Sequence, residues 1–127
     1  MSENREKDEK YTVSSEDTTG VIQIADDVVS SIAALAVTEV DGVSKLAGNI
    51  PNEMVAKLGK RNLAKVIKIT MDEQTIKMDV TIVVKFGFNV VEVSKAVQER
   101  VKTALLNMTG LTVESVNVKV SGIDLGE

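Results

Sequence analysis

The clearest pattern in this chain of 127 residues is the stretch 76–86, which reads IKMDVTIVVKF. Apolar side chains occupy every even position, and Lys77, Asp79 and Lys85 lie between them. This alternation is typical of a β-strand with one buried and one exposed face, because successive side chains point to opposite sides of a sheet. We therefore predict a long strand whose even positions, Phe86 included, point into the core.

Two helical periods flank this strand. Before it, the acidic pair at 26–27 precedes apolar residues at three- and four-residue spacing, and Gly42 provides a C-terminal stop. After it, Asn89 and Glu92 form a capping-box-like start to a second helix, which Gly110 ends. Both segments are predicted to be amphipathic helices packed on the sheet.

Shorter strand-like stretches occur at 21–24, 43–46, 65–71 and 111–120. The last of these changes phase, and a β-bulge near Glu114 and Ser115 would reconcile its two halves. The predicted element order is therefore β-α-β-β-β-α-β. It indicates an α+β two-layer sandwich, in which one mixed sheet of about four to five strands carries two helices on one face.

The first 19 residues differ in composition from the rest of the chain. They contain six acidic and three basic residues, a charge of −3 out of −4 for the whole chain. Because they offer too little apolar surface to offset the entropy of ordering, we predict a disordered charged tail at 1–19, a folded domain at 20–123 and a C-terminal tail at 124–127. No apolar run is long enough for a signal sequence or a membrane span, so we expect a cytoplasmic location.

The composition excludes several classes of chemistry. The chain has no Cys and no His, which removes disulfides, cysteine nucleophiles, the usual zinc sites and every triad built on imidazole. The remaining polar side chains form no phosphate loop, dinucleotide motif or nucleophile elbow. We therefore predict no catalytic, cofactor-binding or metal-binding residues, and we expect a protein that is not an enzyme.

The first helix lacks a charged side between residues 30 and 38. Opposite its core-facing side lie Ser30, Ala34 and Val37, and a helix that is small and apolar all round is usually covered on both sides. Two covers remain open. Met54 and Leu58 of the following linker could fold back over the helix, or a second subunit could pack there. These five residues form the candidate self-association surface.

A second surface is basic. Five positive charges fall within twelve residues with no acid among them, and the predicted strand phases add three lysines on the open face of the sheet, opposed by Asp79 alone. The candidate surface for an anionic partner is Lys57, Lys60, Arg61, Lys65, Lys68, Lys77, Lys85 and Lys119. It would attract phosphate backbones, acidic lipid headgroups or an acidic protein patch, although solubility and edge protection also account for such lysines. Of these three candidate partners, nucleic acid is the least favoured, because the chain offers few aromatic rings on which bases stack.

Several stretches together resemble one known family. They are residues 22–25 (IQIA), 36–43 (AVTEVDGV), 79–84 (DVTIVV) with the following Phe86-Gly87, 108–113 (MTGLTV) and 116–123 (VNVKVSGI). The chain is similar in these positions to the alkaline shock protein family of Gram-positive bacteria. The resemblance is distributed from about Gly20 to Ile123, which makes it more specific than any single motif.

The resemblance implies a non-enzymatic cytoplasmic protein of the cell-envelope stress response or of envelope homeostasis. It implies self-association into an oligomer and binding of protein partners, such as a membrane-anchored relative that would hold the protein beside the membrane. A second implication is regulation of a fatty-acid synthesis enzyme. A weak nucleic-acid-binding role is a further alternative, and it depends on the basic residues alone.

Overall fold

The structure is a computed structural model that describes residues 10–13, 20–46, 50–51, 67–72 and 75–126. Its strands are β1 (Lys10–Val13), β2 (Ile22–Ala25), β3 (Val43–Leu46), β4 (Ile50–Pro51), β5 (Ile67–Asp72), β6 (Thr75–Lys85) and β7 (Val113–Asp124). Its helices are α1 (Asp26–Thr38) and α2 (Val90–Thr109). The predicted order β-α-β-β-β-α-β is present, with β1 and β4 as two additional short strands.

The central strand of the sheet is β6. Strand β7 runs parallel along one edge of β6, while β5 and β3 pair antiparallel with successive halves of the other edge, and β4 pairs with β3. Helix α1 packs over β3 and β5, α2 packs over β7, and the two helices pack against each other. The predicted α+β sandwich with a mixed sheet is therefore confirmed.

Strands β3 and β5 are two parts of one interrupted edge. Leu46 is opposite Ile82, and Ile67 is opposite Val80, so the chain leaves β6 after Leu46 and returns to it two positions farther along. Leu46 and Ile67 therefore pair with the same edge of β6, two positions apart.

The core lies between the helices and the inner face of the sheet. The even positions of β6, namely Ile76, Met78, Val80, Ile82 and Val84, are at most 1% exposed, as their alternation predicted. They meet Val93, Val97, Val101 and Leu105 of α2, which are buried at helical spacing. Burial of one such side chain stabilises the fold by about 1.5–3 kcal/mol, so this apolar layer is the main source of stability.

The two ends of α2 match their sequence signals. Asn89 Oδ1 accepts a hydrogen bond from the Glu92 N–H at 2.9 Å, which satisfies one of the free amides of the first turn. At the other end Gly110 has φ 78°, a left-handed conformation, and its N–H donates to the Leu106 carbonyl. Both the predicted helix start and the predicted stop are confirmed.

Four residues of the expected disordered tail form a strand instead. Lys10–Val13 is β1, and it pairs antiparallel with β2 from Lys10 opposite Ala25 to Val13 opposite Ile22. At the other terminus β7 extends to Asp124, one residue beyond the expected domain end. The remaining part of the division into tails and domain stays a prediction.

Strand β7 contains two irregularities. The pairing with β6 shifts between Val113 and Ser115, which confirms the predicted bulge at Glu114. It shifts again between Val120 and Gly122, a second bulge that the sequence pattern did not indicate. The stretch between the two shifts, residues 115–120, pairs regularly with β6.

Candidate functional site

The stripe of α1 that formed part of the candidate self-association surface is buried within one chain. Ser30 is 9% exposed, and Ala34 and Val37 are 0% exposed. Helix α1 packs against α2, β3 and β5, which encloses it from two sides. These three side chains are therefore core residues and not an accessible self-association surface. Met54 and Leu58, the other two candidates, lie outside the described residues.

Four of the predicted basic residues do share the open face of the sheet. Lys68, Lys77, Lys85 and Lys119 are exposed, and the strand register places them on the side opposite the buried row. Lys45 joins them because it is opposite Val83, an odd position of β6. The other four predicted cations, Lys57, Lys60, Arg61 and Lys65, lie outside the described residues.

The expectation that Asp79 alone opposes these lysines is wrong. The bulge residue Glu114 brings its Oε1 within 3.9 Å of Lys77 Nζ, and Asp124 lies opposite Lys85. Asp79 itself accepts a hydrogen bond from Asn117 Nδ2 at 2.9 Å. Because three carboxylates lie among the five described lysines, the positive charge of this face is smaller than the sequence suggested.

A different surface stands out at the end of the sheet where β6 and β7 finish. Phe86 is 72% exposed, Leu125 is 65% exposed and Phe88 is 45% exposed. Lys85 and Asp124 flank them, since these two residues are opposite each other in the last pair of the parallel ladder. We call these five residues the terminal patch. It contains both phenylalanines of the chain.

Phe86 corrects an expectation. The even-numbered alternation of β6 predicted that it points into the core, yet its side chain is largely in contact with solvent. The strand ends at Lys85, and the Phe86 N–H donates to the Asp124 carbonyl at 2.8 Å at the end of the ladder. The alternation of apolar residues in the sequence thus continues to Phe86, although the strand ends at Lys85 and Val84 is its last buried residue.

The turn after β6 holds this surface in place. Gly42 has φ 96°, and a Cβ added to it would lie 2.7 Å from Phe88 Cδ2 and 2.7 Å from Val93 Cγ2. The Phe88 ring therefore packs closely on the Gly42 backbone, where only a glycine leaves room. In addition, the Lys85 N–H donates to the Gly42 carbonyl at 2.8 Å. The α1–β3 turn thereby supports the turn that presents Phe86.

Asp124 is held as a carboxylate within the terminal patch. Ser44 Oγ donates to Asp124 Oδ2 at 2.5 Å, and the Gly126 N–H donates to Oδ1 at 2.9 Å. These hydrogen bonds, that from Ser44 first, lower the pKa of Asp124 below its usual value against a partial desolvation that raises it. Lys45 and Lys85 also favour the charged form.

Two open grooves adjoin the terminal patch. One has a volume of about 390 Å³ and runs over the second bulge of β7, between Lys45, Val83 and Gly122. The other has a volume of about 320 Å³ and is lined on one side by Lys85 and Phe86, at the end of β6. Asp124 and Leu125 line both grooves, so the two grooves lie next to each other on either side of these residues.

The sequence of the chain matches one known protein family. Residues 14–125 match the sequence model of the alkaline shock protein 23 family, which is described as having a cell envelope-related function. The chain belongs to this alkaline shock protein family. The match extends over nearly the whole chain and confirms the resemblance inferred from its sequence.

Several relatives of this alkaline shock family protein are bacterial proteins without an assigned function. It is 39% identical to the uncharacterized protein YqhY of Bacillus subtilis over 104 residues, covering 82% of this chain and 77% of that protein. It is 37% identical to the uncharacterized protein Spy1614 of Streptococcus pyogenes over 106 residues, covering 82% of this chain and 88% of that protein. These relatives support the family assignment.

Among solved structures, the alkaline shock family chain is similar to the copper form of the MamM CTD. The TM-score is 0.48 at 18% identity, and the alignment covers 80% of this chain and 89% of that chain. The MamM CTD variant H264A gives a TM-score of 0.47 at 18% identity.

The described part of the alkaline shock family chain contains no group of three or more His, Cys, Asp or Glu side chains that could hold a metal ion. Within the same residues, no helix is long and apolar enough to cross a membrane. The terminal patch presents exposed aromatic and aliphatic side chains beside the Asp124 carboxylate and the Lys85 ammonium group.

Sequence reasoning missed most of the terminal patch. Leu125 and Asp124 fell in the expected C-terminal tail, and Ser44 is remote from Asp124 in the chain. One signal was available, since Phe86 and Phe88 flank Gly87 and are the only phenylalanines of the protein. Two aromatic residues beside a turn glycine would have indicated a presented surface.

Proposed function

We propose that this alkaline shock family protein is a non-enzymatic interaction protein of cell-envelope homeostasis or the envelope stress response, which binds an envelope-related protein partner through the terminal patch. It acts in the cytoplasm and reaches the membrane only through a membrane-anchored partner. The observation that carries this proposal is the exposure of Phe86 and Leu125 side by side at one end of the sheet.

Physical chemistry favours a protein partner at this surface. When a partner covers exposed aromatic and leucine side chains, apolar surface is removed from water, which favours binding. A few such side chains contribute most of the binding energy at protein interfaces. Phe88 is packed on Gly42, so the turn that carries Phe86 is rigid before binding and less entropy is lost on association. The terminal patch is therefore suited to a defined protein surface.

The charges around the terminal patch add selectivity. Lys45 and Lys85 favour an acidic group on the partner, and the lysines of the open face extend this preference across the sheet. Electrostatic complementarity of this kind mainly raises the association rate and rejects partners of the wrong charge. We infer that the partner places an acidic residue next to its apolar anchor.

The alternative partner is an enzyme of fatty-acid synthesis, regulated by binding at the same surface. Nucleic acid is disfavoured because only two rings lie at the terminal patch and carboxylates accompany the open-face lysines. Retention of RNA at low salt and its release at higher salt would be the signature of that third function.

Affinity capture from a native extract tests the proposal. The double variant F86S/L125S removes the two most exposed apolar side chains of the terminal patch, and L35S, at a residue of α1 that is 41% exposed, is the matched control. We expect the wild type and L35S to retain the same membrane-anchored envelope protein, and F86S/L125S to retain at most about a tenth as much of it.

The identity of the captured protein separates the two leading functions. A membrane-anchored envelope protein supports the proposal, and an enzyme of acyl synthesis supports the alternative. Equal capture by the wild type and F86S/L125S contradicts both, because both assign binding to the terminal patch. Thermal unfolding of each variant checks that the domain is folded, and we expect no large change because all three substituted side chains are exposed.

A further inference from the structure

We propose that the groove over the second bulge of β7 binds an extended segment of a protein partner, which places an aliphatic side chain over Val83 and Gly122 and an acidic side chain against Lys45. We call this depression the bulge groove. The inference rests on the proposed function and deepens it, because it names the chemistry of the segment that the partner brings beside the terminal patch. It also gives Gly122 a part in recognition.

The floor of the bulge groove is a row of three residues on adjacent strands. Lys45 of β3 is opposite Val83 of β6, and Val83 is opposite Gly122 of β7, so all three lie on the open face of the sheet. Neighbouring strands are about 4.8 Å apart, which places the two ends of the row about 10 Å from each other. The row offers a basic side chain, an apolar side chain and bare main chain in succession.

The fold of the chain does not require a glycine at position 122. Among the glycines that the structure describes, Gly122 alone has a φ outside the left-handed region, so its backbone conformation is open to other residues. A Cβ added there would meet nothing within 4 Å, so no neighbouring group needs the missing side chain to be absent. A glycine inside a strand often marks a place where a ligand or another main chain comes close. The space above Gly122 therefore suits an occupant from outside the chain.

Val83 is the apolar exception on the open face of β6. The other odd positions of this strand carry Thr, Lys or Asp, whereas Val83 is apolar and only partly buried. It lines the bulge groove, where its neighbour Gly122 has no side chain to cover it. An aliphatic side chain of a partner would remove this apolar surface from water, which favours binding.

The charges around the bulge groove favour an acidic group on the partner. Asp124 uses both carboxylate oxygens within the chain, since Ser44 Oγ donates to Oδ2 and the Gly126 N–H donates to Oδ1. The Lys45 ammonium, in contrast, has no carboxylate oxygen within 4.0 Å among the residues that the structure describes. A partner carboxylate beside Lys45 gains a charge-assisted hydrogen bond, whereas an ammonium group would be repelled.

An extended segment brings both side chains to the bulge groove together. Residues two positions apart in such a segment point to the same side and are about 6.5–7 Å apart. An aliphatic residue over Val83 and Gly122 therefore leaves an acidic residue two positions away within reach of the long Lys45 side chain. The recognition pattern is aliphatic-x-acidic, read in either chain direction.

Phage display of random peptides of about twelve residues, with the purified full chain as bait, tests this pattern. We expect the wild type to enrich aliphatic-x-acidic peptides at least about ten-fold over the unselected library. G122V should lose this enrichment because its side chain fills the groove. S115V is the matched control and should keep it, since Ser115 is opposite Lys77 on the same face of β7 and lies outside the groove.

Charge reversal at Lys45 provides a second, independent measurement in the same display. We expect K45E to enrich aliphatic-x-basic peptides in place of aliphatic-x-acidic ones. Thermal unfolding checks that each bait is folded. Three results overturn the proposal: no enrichment by the wild type, equal enrichment by the wild type and G122V, or the same acidic pattern selected by K45E.

Affinity capture from a native extract distinguishes this proposal from the proposed function. We expect G122V to retain at most about a tenth of the envelope protein that the wild type and S115V retain. If F86S/L125S loses that protein and G122V retains it in full, the bulge groove proposal is wrong and the proposed function stands. If both variants retain it in full, both are wrong.

Discussion

Ser44 and Asp124 are 80 positions apart in the sequence, and Ser44 Oγ donates a hydrogen bond of 2.5 Å to Asp124 Oδ2. Ser44 belongs to β3 and Asp124 to β7, which pair with opposite edges of β6. The hydrogen bond therefore spans the central strand and ties both edges of the sheet together beside the terminal patch.

This hydrogen bond predicts a specific pH dependence of stability. The pKa of Asp124 is lowered in the folded state, chiefly by Ser44. A lowered carboxyl pKa contributes stability above the pKa of the unfolded chain, and that contribution is lost as the pH falls through the folded value, below about pH 4. We expect S44A to unfold at lower urea than the wild type near neutral pH, with a difference that shrinks below about pH 4.

Ser121 supplies the matched control. Its Oγ donates to the Ile82 carbonyl at 3.4 Å and not to a carboxylate. The loss of stability in S121A should therefore be the same near neutral pH and below about pH 4. If the difference between the wild type and S44A were unchanged in acid, Asp124 would not be the group that Ser44 stabilises.

The contact between Gly42 and Phe88 predicts a large cost for adding one methyl group. G42A places a side chain at φ 96° and brings its Cβ to 2.7 Å from the Phe88 ring. Backbone strain and overpacking together should lower the free energy of unfolding by at least about 2 kcal/mol, measured by urea denaturation.

The variant G87A separates the cost of backbone strain from the cost of overpacking. Gly87 has φ 98°, but a Cβ there would meet nothing within 4 Å, so G87A carries the backbone strain alone. We expect G87A to lose about 1 kcal/mol and to be clearly more stable than G42A. Equal losses in the two variants would mean that the packing of Phe88 on Gly42 contributes nothing.

The core and the surface should differ in sensitivity to substitution. Val97 is 0% exposed, and V97A should lower the free energy of unfolding by about 2 kcal/mol because it leaves a cavity in the core. Arg100 forms an ion pair with Glu39 between the helices, yet their side chains are 53% and 55% exposed. For E39Q we expect a loss below about 0.5 kcal/mol in the same urea titration. A larger loss for E39Q than for V97A would contradict this account of the helix layer.

The elements that the sequence predicted best are those whose own residues determine them. The even positions of β6 alternate without exception up to Val84, and α2 carries its own cap at Asn89 and its own stop at Gly110. The bulge at Glu114 was visible because the apolar phase of β7 changes there. Local pattern was sufficient in each case.

Features that depend on distant parts of the chain were not predictable in this way. The apolar surround of Ala34 indicated that α1 is covered, but a helical pattern is the same whether its own chain or a second copy covers it. The period of β6 continued through Phe86, although the strand and its cover end before it. The pairing of Ser44 with Asp124 required the sheet order, which no local pattern contains.

Photo-cross-linking in living cells tests the central claim most directly. A benzophenone amino acid at position 86 replaces the side chain that is 72% exposed, and the same group at position 35 on α1 is the control. The account predicts that position 86 yields one discrete adduct with an envelope-related protein and that position 35 does not. Adducts of the same protein at position 35 but none at position 86 would contradict the assignment of partner binding to the terminal patch.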